Sequence, residues 1–147
     1  MKKEPWILAV EDSDSDVYLI QRALDESSNP KEIVRARDGE QAISLIRELA
    51  DGGSEVLPEL IFIDLNLPRV DGFEVLEQIQ KQAAFRAVPL VVVTSSQQEA
   101  DKQLAMDRGA DAYFVKPLEF SRYRELPNIM DQARDTRSKK VAASSCS

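Results

Sequence analysis

Histidine is missing from the 147 residues, and cysteine occurs once, as Cys146. Without histidine there is no Ser-His-Asp triad, no His-ligated metal and no phosphohistidine carrier. A lone cysteine excludes an intrachain disulfide scaffold. No window approaches the roughly eighteen continuous apolar residues of a membrane span. The apolar run behind the basic N-terminus stops at Val10, too short for the h-region of a signal peptide. A cytoplasmic location is therefore expected, and any chemistry must run on carboxylates, lysine, hydroxyls and a hard cation.

What is present is a charge fraction of 31% and an apolar fraction of 43%, the balance of one soluble globular domain. The net charge is −7, which argues against a nucleic-acid surface. Residues 137–147 carry Arg137, Lys139 and Lys140 and no acid, so the body is more acidic still. These residues read as a disordered tail after a single domain over 1–136.

The runs Ile7 to Val10, Leu60 to Ile63, Leu90 to Val93 and Ala112 to Val115 are short, β-rich and bounded by polar or turn residues. Runs of that kind are strands buried on both faces of a parallel sheet. Ile33 to Ala36, followed by Asp38-Gly39, is a weaker strand supported by its place between helical patterns. Val17, Ile20 and Leu24 recur at helical spacing after Ser13, which with Asp16 approximates a capping box. Ala42, Leu45, Ile46 and Leu49 form a second stripe, and Val75, Leu76, Ile79 and Ala83 a third. Between Gln97 and Arg108 the apolar face is thin, mainly Ala100, Leu104 and Ala105, so that helix should be lightly held. Pro127 interrupts the last helical run and predicts a kink or a restart. Gly52-Gly53-Ser54 falls in a long loop before the third strand. The order βαβαβαβαβα implies an α/β doubly wound, five-stranded parallel sheet with helices on both faces, in the flavodoxin-like strand order 2-1-3-4-5.

Glu11-Asp12 follows the first strand, and Asp64 ends the third. In such a sheet the carboxyl ends of the strands form the ligand crevice, so the three acids should converge there. Two carboxylates about 5 Å apart repel by roughly 3 kcal/mol at an effective dielectric of 20, and a cation relieves that. An all-oxygen site with room for water suits Mg²⁺. Thr94 ends the fourth strand and Lys116 the fifth, adding a hydroxyl and one positive charge. That set suits a bound or transferred phosphoryl group. Taken singly, each piece has a plainer reading: an acidic loop, an N-cap at Thr94-Ser95-Ser96, a turn at Lys116-Pro117. Their coincidence at neighbouring strand ends favours a site.

The chain resembles the receiver domain of two-component response regulators. The resemblance rests on Ile7-Leu8-Ala9-Val10-Glu11-Asp12, on Leu60-Ile61-Phe62-Ile63-Asp64-Leu65-Asn66-Leu67-Pro68 with Asp71-Gly72, on Val91-Val92-Val93-Thr94-Ser95, and on Gly109-Ala110-Asp111-Ala112-Tyr113-Phe114-Val115-Lys116-Pro117. It implies that Asp64 accepts a phosphoryl group from a phosphohistidine on a partner histidine kinase. It implies that Glu11, Asp12, Asp64 and the backbone carbonyl of Asn66 arrange Mg²⁺, and that Lys116 and Thr94 attend the phosphoryl oxygens. Tyr113 matches the aromatic switch position, and a cis bond is implied before Pro117. Within the family, Asp16-Val17, Leu19-Ile20, Ala23-Leu24 and the loop Ala50 to Glu59 are similar to the small single-domain regulators of cyanobacterial phytochrome-type kinases. That subgroup implies a photoreceptor kinase as partner and a homodimer through the last strand and its flanking helices. The acidic balance and the lack of a membrane-length apolar run leave neither a nucleic-acid nor a membrane partner expected, and the family resemblance implies no substrate turnover beyond self-catalysed phosphotransfer and dephosphorylation.

Three other readings compete. A haloacid-dehalogenase-like phosphohydrolase usually places a second acid two residues after its aspartyl nucleophile, where this chain has Asn66. A receiver-like module that binds constitutively, without phosphorylation, would not need all five chemical positions filled. A flavodoxin relative would need hydroxyls and glycine around the flavin phosphate, whereas Glu11-Asp12-Ser13-Asp14-Ser15-Asp16 would repel it.

Overall fold

Trp6–Val10 (β1), Glu32–Ala36 (β2), Leu60–Ile63 (β3), Leu90–Thr94 (β4) and Ala112–Val115 (β5) pair in parallel, in the order β2-β1-β3-β4-β5. The computed structural model describes residues 5–27, 31–52 and 56–145. Its helices are Asp14–Asp25 (α1), Gly39–Asp51 (α2), Gly72–Gln80 (α3), Glu99–Asp107 (α4) and Leu126–Ser145 (α5), with short 3₁₀ turns at Ala83–Phe85 and Phe120–Glu125. Both the strand order and the alternation of strands with helices follow the sequence expectation.

Side chains alternate across a strand, and here the alternation sorts them into two cores. Ile7, Ala9, Leu60, Phe62, Val91, Val93, Ala112 and Phe114 pack with Ile20, Ala23 and Leu24 of α1 and Leu126, Met130 and Ala133 of α5. Leu8, Val10, Ile61, Ile63, Leu90 and Val92 face the other way, onto α2, α3 and α4. Ser13, Asp38 and Asp71 cap α1, α2 and α3, each accepting the N–H three residues on. No side chain caps α4, whose one buried residue is Ala105, so it is the helix with the least packing to hold it.

Gly72 has a steric role at the functional end. A Cβ there would lie 2.2 Å from the carbonyl oxygen of Asp64, so glycine alone lets the start of α3 abut the end of β3.

Pro127 is the second residue of α5, after the 3₁₀ turn, so the helix restarts rather than kinks. The missing N–H then falls in a first turn, where it has no intrahelical acceptor to lose. Gly52 closes α2, while Gly53, Ser54 and Cys146 lie outside the described residues. No helix among the described residues is long and apolar enough to cross a membrane.

The expectation of a disordered tail from 137 is corrected, because α5 continues to Ser145. Arg137 extends the buried stripe of Met130 and Ala133, and its charge is matched rather than exposed. Its Nε donates to Asp111 Oδ2 at 2.8 Å, and its two other nitrogens donate to the carbonyls of Gly109 (2.7 Å) and Arg86 (3.3 Å). Asp111 Oδ2 also accepts the Leu90 N–H at 2.8 Å, and Lys140 Nζ lies 2.7 Å from Oδ1. Composition made this segment look unfoldable because the buried acid it serves lies in another element.

Removing one partner of a buried ion pair leaves the other charge desolvated, at a cost of about 3 kcal/mol. Arg137→Ala should therefore lower the urea midpoint by that equivalent, while Arg134→Ala, on a half-buried part of the same helix with ion pairs open to water, should cost under about 1 kcal/mol. Equal midpoints for the two variants would show that the buried pair does not anchor α5.

Candidate functional site

The hydrogen-bond ladder of the sheet runs one residue past the strands, and this fixes the functional side chains. The N–H of Glu11 donates to Ala36 O at 3.0 Å, that of Asp64 to Val10 O at 3.0 Å, and that of Lys116 to Thr94 O at 2.7 Å. Strand alternation then decides direction. Glu11, Asp64 and Lys116 share the parity of Ala9, Phe62 and Phe114, whose side is the α1/α5 side. Thr94 has the parity of Val92 and belongs to the α3/α4 side, as does the half-buried Tyr113.

Carboxylate oxygens of Glu11, Asp12 and Asp64 all lie within 4.8 Å of one another. Glu11 and Asp64 are 2% and 5% exposed, whereas Asp12 is open to solvent. Three oxygen donors with one open flank fit a hard divalent cation that keeps part of its water. Asp64 is held at both oxygens: Oδ1 accepts the Asn66 N–H at 3.1 Å, and Oδ2 accepts from Lys116 Nζ at 2.8 Å. Lys116 Nζ also lies 2.6 Å from Glu11 Oε1 and 2.7 Å from Asp16 Oδ2.

Thr94 and Tyr113 meet each other's neighbourhood rather than Asp64. Thr94 is fully buried and its Oγ1 accepts the Ser96 N–H at 3.4 Å. The Tyr113 hydroxyl donates to Ser96 O at 3.1 Å. Ser96, whose Oγ donates to Asp101 Oδ2 at 2.6 Å, therefore ties both residues to the start of α4. The cis bond implied before Pro117 is corrected: that peptide is trans. Trans is the intrinsically favoured form by about 0.5–1 kcal/mol. With it Lys116 reaches its three carboxylates while Leu118 points into solvent.

Sequence reasoning missed Asp16 and Ser96. Three residues after Ser13, Asp16 has the spacing of a capping acid of α1, yet its carboxylate goes to Lys116, and the Ser13 N–H donates instead to Glu11 Oε2 at 3.3 Å. Its signal was the density of acids over residues 11–16, beyond what a metal and a helix start require. Arg35 also supports the loop, donating through Nε to the Glu11 carbonyl at 2.8 Å and through a terminal nitrogen to Asp14.

The electrostatics follow from burial and sharing. Burial raises the Glu11 carboxyl to about 7, with the neighbouring Asp64 charge adding to the rise and Lys116 opposing it. Burial alone would push the Lys116 ammonium down, but its bonds to Asp16, Asp64 and Glu11 outweigh that and hold it above its ordinary range.

The family model described as the response regulator receiver domain matches residues 7–127. The chain belongs to this family. Among relatives, the probable methanogenesis regulatory protein FilR2 of Methanothrix harundinacea is 40% identical over 119 residues, covering 80% of this chain and 76% of that protein. Response regulator Rcp1 of Synechocystis is 36% identical over 110 residues, 75% of each chain. The structure of the phosphorylated cyanobacterial phytochrome response regulator RcpA superposes with a TM-score of 0.73 at 35% identity, over 84% of this chain and 89% of that one. The Mn²⁺-bound form of Rcp1 gives 0.75 at 30%, over 86% of this chain and 94% of the other. Receiver domains bind Mg²⁺ or Mn²⁺ at an acidic cluster of the kind formed here by Glu11, Asp12 and Asp64.

Because Glu11 titrates near 7 in the folded receiver and near 4.5 when unfolded, the folded state holds the extra proton between those values. The associated stability is complete below pH 4.5 and is lost as pH rises through 7, on the order of 3 kcal/mol. In EDTA the thermal midpoint should fall from pH 5.5 to pH 8, and Mg²⁺ should restore it at pH 8. With no histidine in the chain, Glu11→Gln should flatten the dependence near neutrality. A midpoint that is already flat in the wild type would contradict this assignment.

Proposed function

We propose that this chain is a single-domain response regulator: Asp64 accepts a phosphoryl group from a phosphohistidine of a partner histidine kinase, with Mg²⁺, in the cytoplasm. The observation that carries the reading is the buried Asp64 carboxylate, bonded by Lys116 at 2.8 Å and flanked by the Glu11 and Asp12 oxygens within 4.8 Å. Asp64 oxygen attacks phosphorus, a P–O bond forms, the donor P–N bond breaks, and its electron pair leaves with the imidazole. Mg²⁺, held by Glu11, Asp12, Asp64 and the Asn66 carbonyl, would supply the charge that lets a carboxylate approach a phosphoryl group. Lys116 pairs with the phosphoryl oxygens, and the Asn66 N–H keeps the second Asp64 oxygen in place.

The product adds roughly −1.5 to −2 charge and three acceptor oxygens. Thr94 then turns toward the phosphoryl group and gives up the Ser96 N–H. Tyr113, bonded to the same residue, turns inward, and the lightly packed α4 responds. Output passes through protein contacts on the face of α4, β5 and α5, where Leu104 and Leu118 are exposed, and a homodimer through β5 and its flanking helices uses that face. The names of RcpA and of the bacteriophytochrome response regulator RtBRR, 34% identical with a TM-score of 0.73 over 89% of this chain and 78% of that one, support a phytochrome-type photoreceptor kinase as the donor.

Acetyl phosphate with Mg²⁺ should add one phosphoryl mass to the intact protein, and the added mass should vanish in EDTA and in Asp64→Asn. A wild type that stays unlabelled would instead favour a module that binds without phosphorylation.

A further inference from the structure

Three carboxylates crowd the Lys116 ammonium: Asp16 and Asp64 accept its hydrogens at 2.7 Å and 2.8 Å, and a Glu11 oxygen lies 2.6 Å away as an ion pair. Glu11 and Asp64 belong to the acidic cluster, but Asp16 does not. It comes from the first turn of α1, a hundred residues away along the chain, and its side chain is partly open to water while Lys116 is mostly enclosed. Nor does Asp16 complete the helix cap, since Ser13 N–H is bonded to Glu11. Its one observed side-chain partner is therefore the ammonium.

We infer that Asp16 is a positioning residue that holds one hydrogen of the Lys116 ammonium and yields it when a phosphoryl group forms on Asp64. This inference rests on the phosphoacceptor reading of Asp64. A phosphoryl oxygen built on Asp64 starts next to Nζ, because the parent carboxylate is already at 2.8 Å. It needs a donor, and three carboxylate oxygens already stand within 2.8 Å of the ammonium. Glu11 is enclosed and would be drawn on by a divalent cation, whereas Asp16 can be rehydrated where it stands and is the partner released at least cost. Asp16 thus competes with the phosphoryl group for one charge-assisted bond, which weakens the phosphorylated state relative to a site without it. The exchange also has a mechanical consequence. The start of α1 is tied to the sheet through Asp14–Arg35 and Asp16–Lys116, and phosphorylation removes the second tie while sparing the first. The phosphorylation state is thereby communicated to α1, independently of Thr94 and Tyr113 on the other side of the sheet.

The test compares wild type, Asp16→Ala and Asp16→Glu after labelling with acetyl phosphate and Mg²⁺, removing the donor and following intact mass. Asp16→Ala should keep its phosphoryl group at least about twofold longer, and Asp16→Glu, which retains a carboxylate, should decay like the wild type. A lifetime in Asp16→Ala equal to or shorter than that of the wild type overturns the inference; Asp16→Asn, with the same shape and no charge, replaces Ala if the start of α1 loosens. A second readout needs no phosphorylation: the ammonium of Lys116 should give a slowly exchanging ¹H–¹⁵N signal in the metal-free wild type and lose it in Asp16→Ala. If the wild type takes no label, the phosphoacceptor reading fails, and this signal alone decides whether Asp16 positions Lys116. A signal unchanged in Asp16→Ala overturns it.

Discussion

One ammonium at the carboxyl end of the sheet holds the functional residues together. Lys116 closes β5 and bonds Glu11 beyond β1, Asp64 beyond β3 and Asp16 on α1, so one charge gathers acids from three separate segments. Four carboxylates, those of Glu11, Asp12, Asp16 and Asp64, face one lysine and leave the crevice short of positive charge, and burial together with the Asp64 charge raises the Glu11 carboxyl to about 7 in response. The site is therefore poised to take a divalent cation, and the metal chemistry of receiver domains follows from an imbalance the fold itself creates.

The alternation of strand side chains divides labour across the sheet. The charged set lies toward α1 and α5, and the hydroxyl and aromatic set, Thr94 with Tyr113, lies toward α4. Glu11, Asp64, Lys116, Thr94 and Tyr113 all sit within two residues of the ends of neighbouring strands, so a change at Asp64 can be felt on either side without long-range rearrangement. Ser96 gathers the second set as Lys116 gathers the first, and it does so through its backbone, which ties Thr94 and Tyr113 to the start of the least anchored helix.

At the opposite end, Asp111 does for structure what Lys116 does for chemistry. Its buried carboxylate joins the first residue of β4, the turn after α4 and the second half of α5 through Leu90, Arg137 and Lys140. The sheet is thus pinned by ion pairs at both ends, one a buried acid balanced by Arg137 and Lys140, the other left with surplus negative charge. That contrast separates a structural ion pair from a reactive one more clearly than burial does.

The sheet order, the first two helix stripes, a break at Pro127 and the convergence of Glu11, Asp12, Asp64 and Lys116 were legible in the sequence, because each rests on local periodicity or on strand ends whose placement the topology dictates. Residues that depend on a distant partner were not. Asp16 read as a cap and Arg137 as part of a solvated tail, since nothing within a few residues of either announces the lysine at 116 or the acid at 111. The peptide before Pro117, implied cis by resemblance, is trans, an outcome fixed by local geometry that residue identity leaves open. The amino-acid sequence by itself determined which chemical groups exist and which strand end carries each. Tertiary structure decided which acids share the ammonium and which basic residues are buried, because charges choose partners by distance in space, a quantity that periodicity along the chain does not encode.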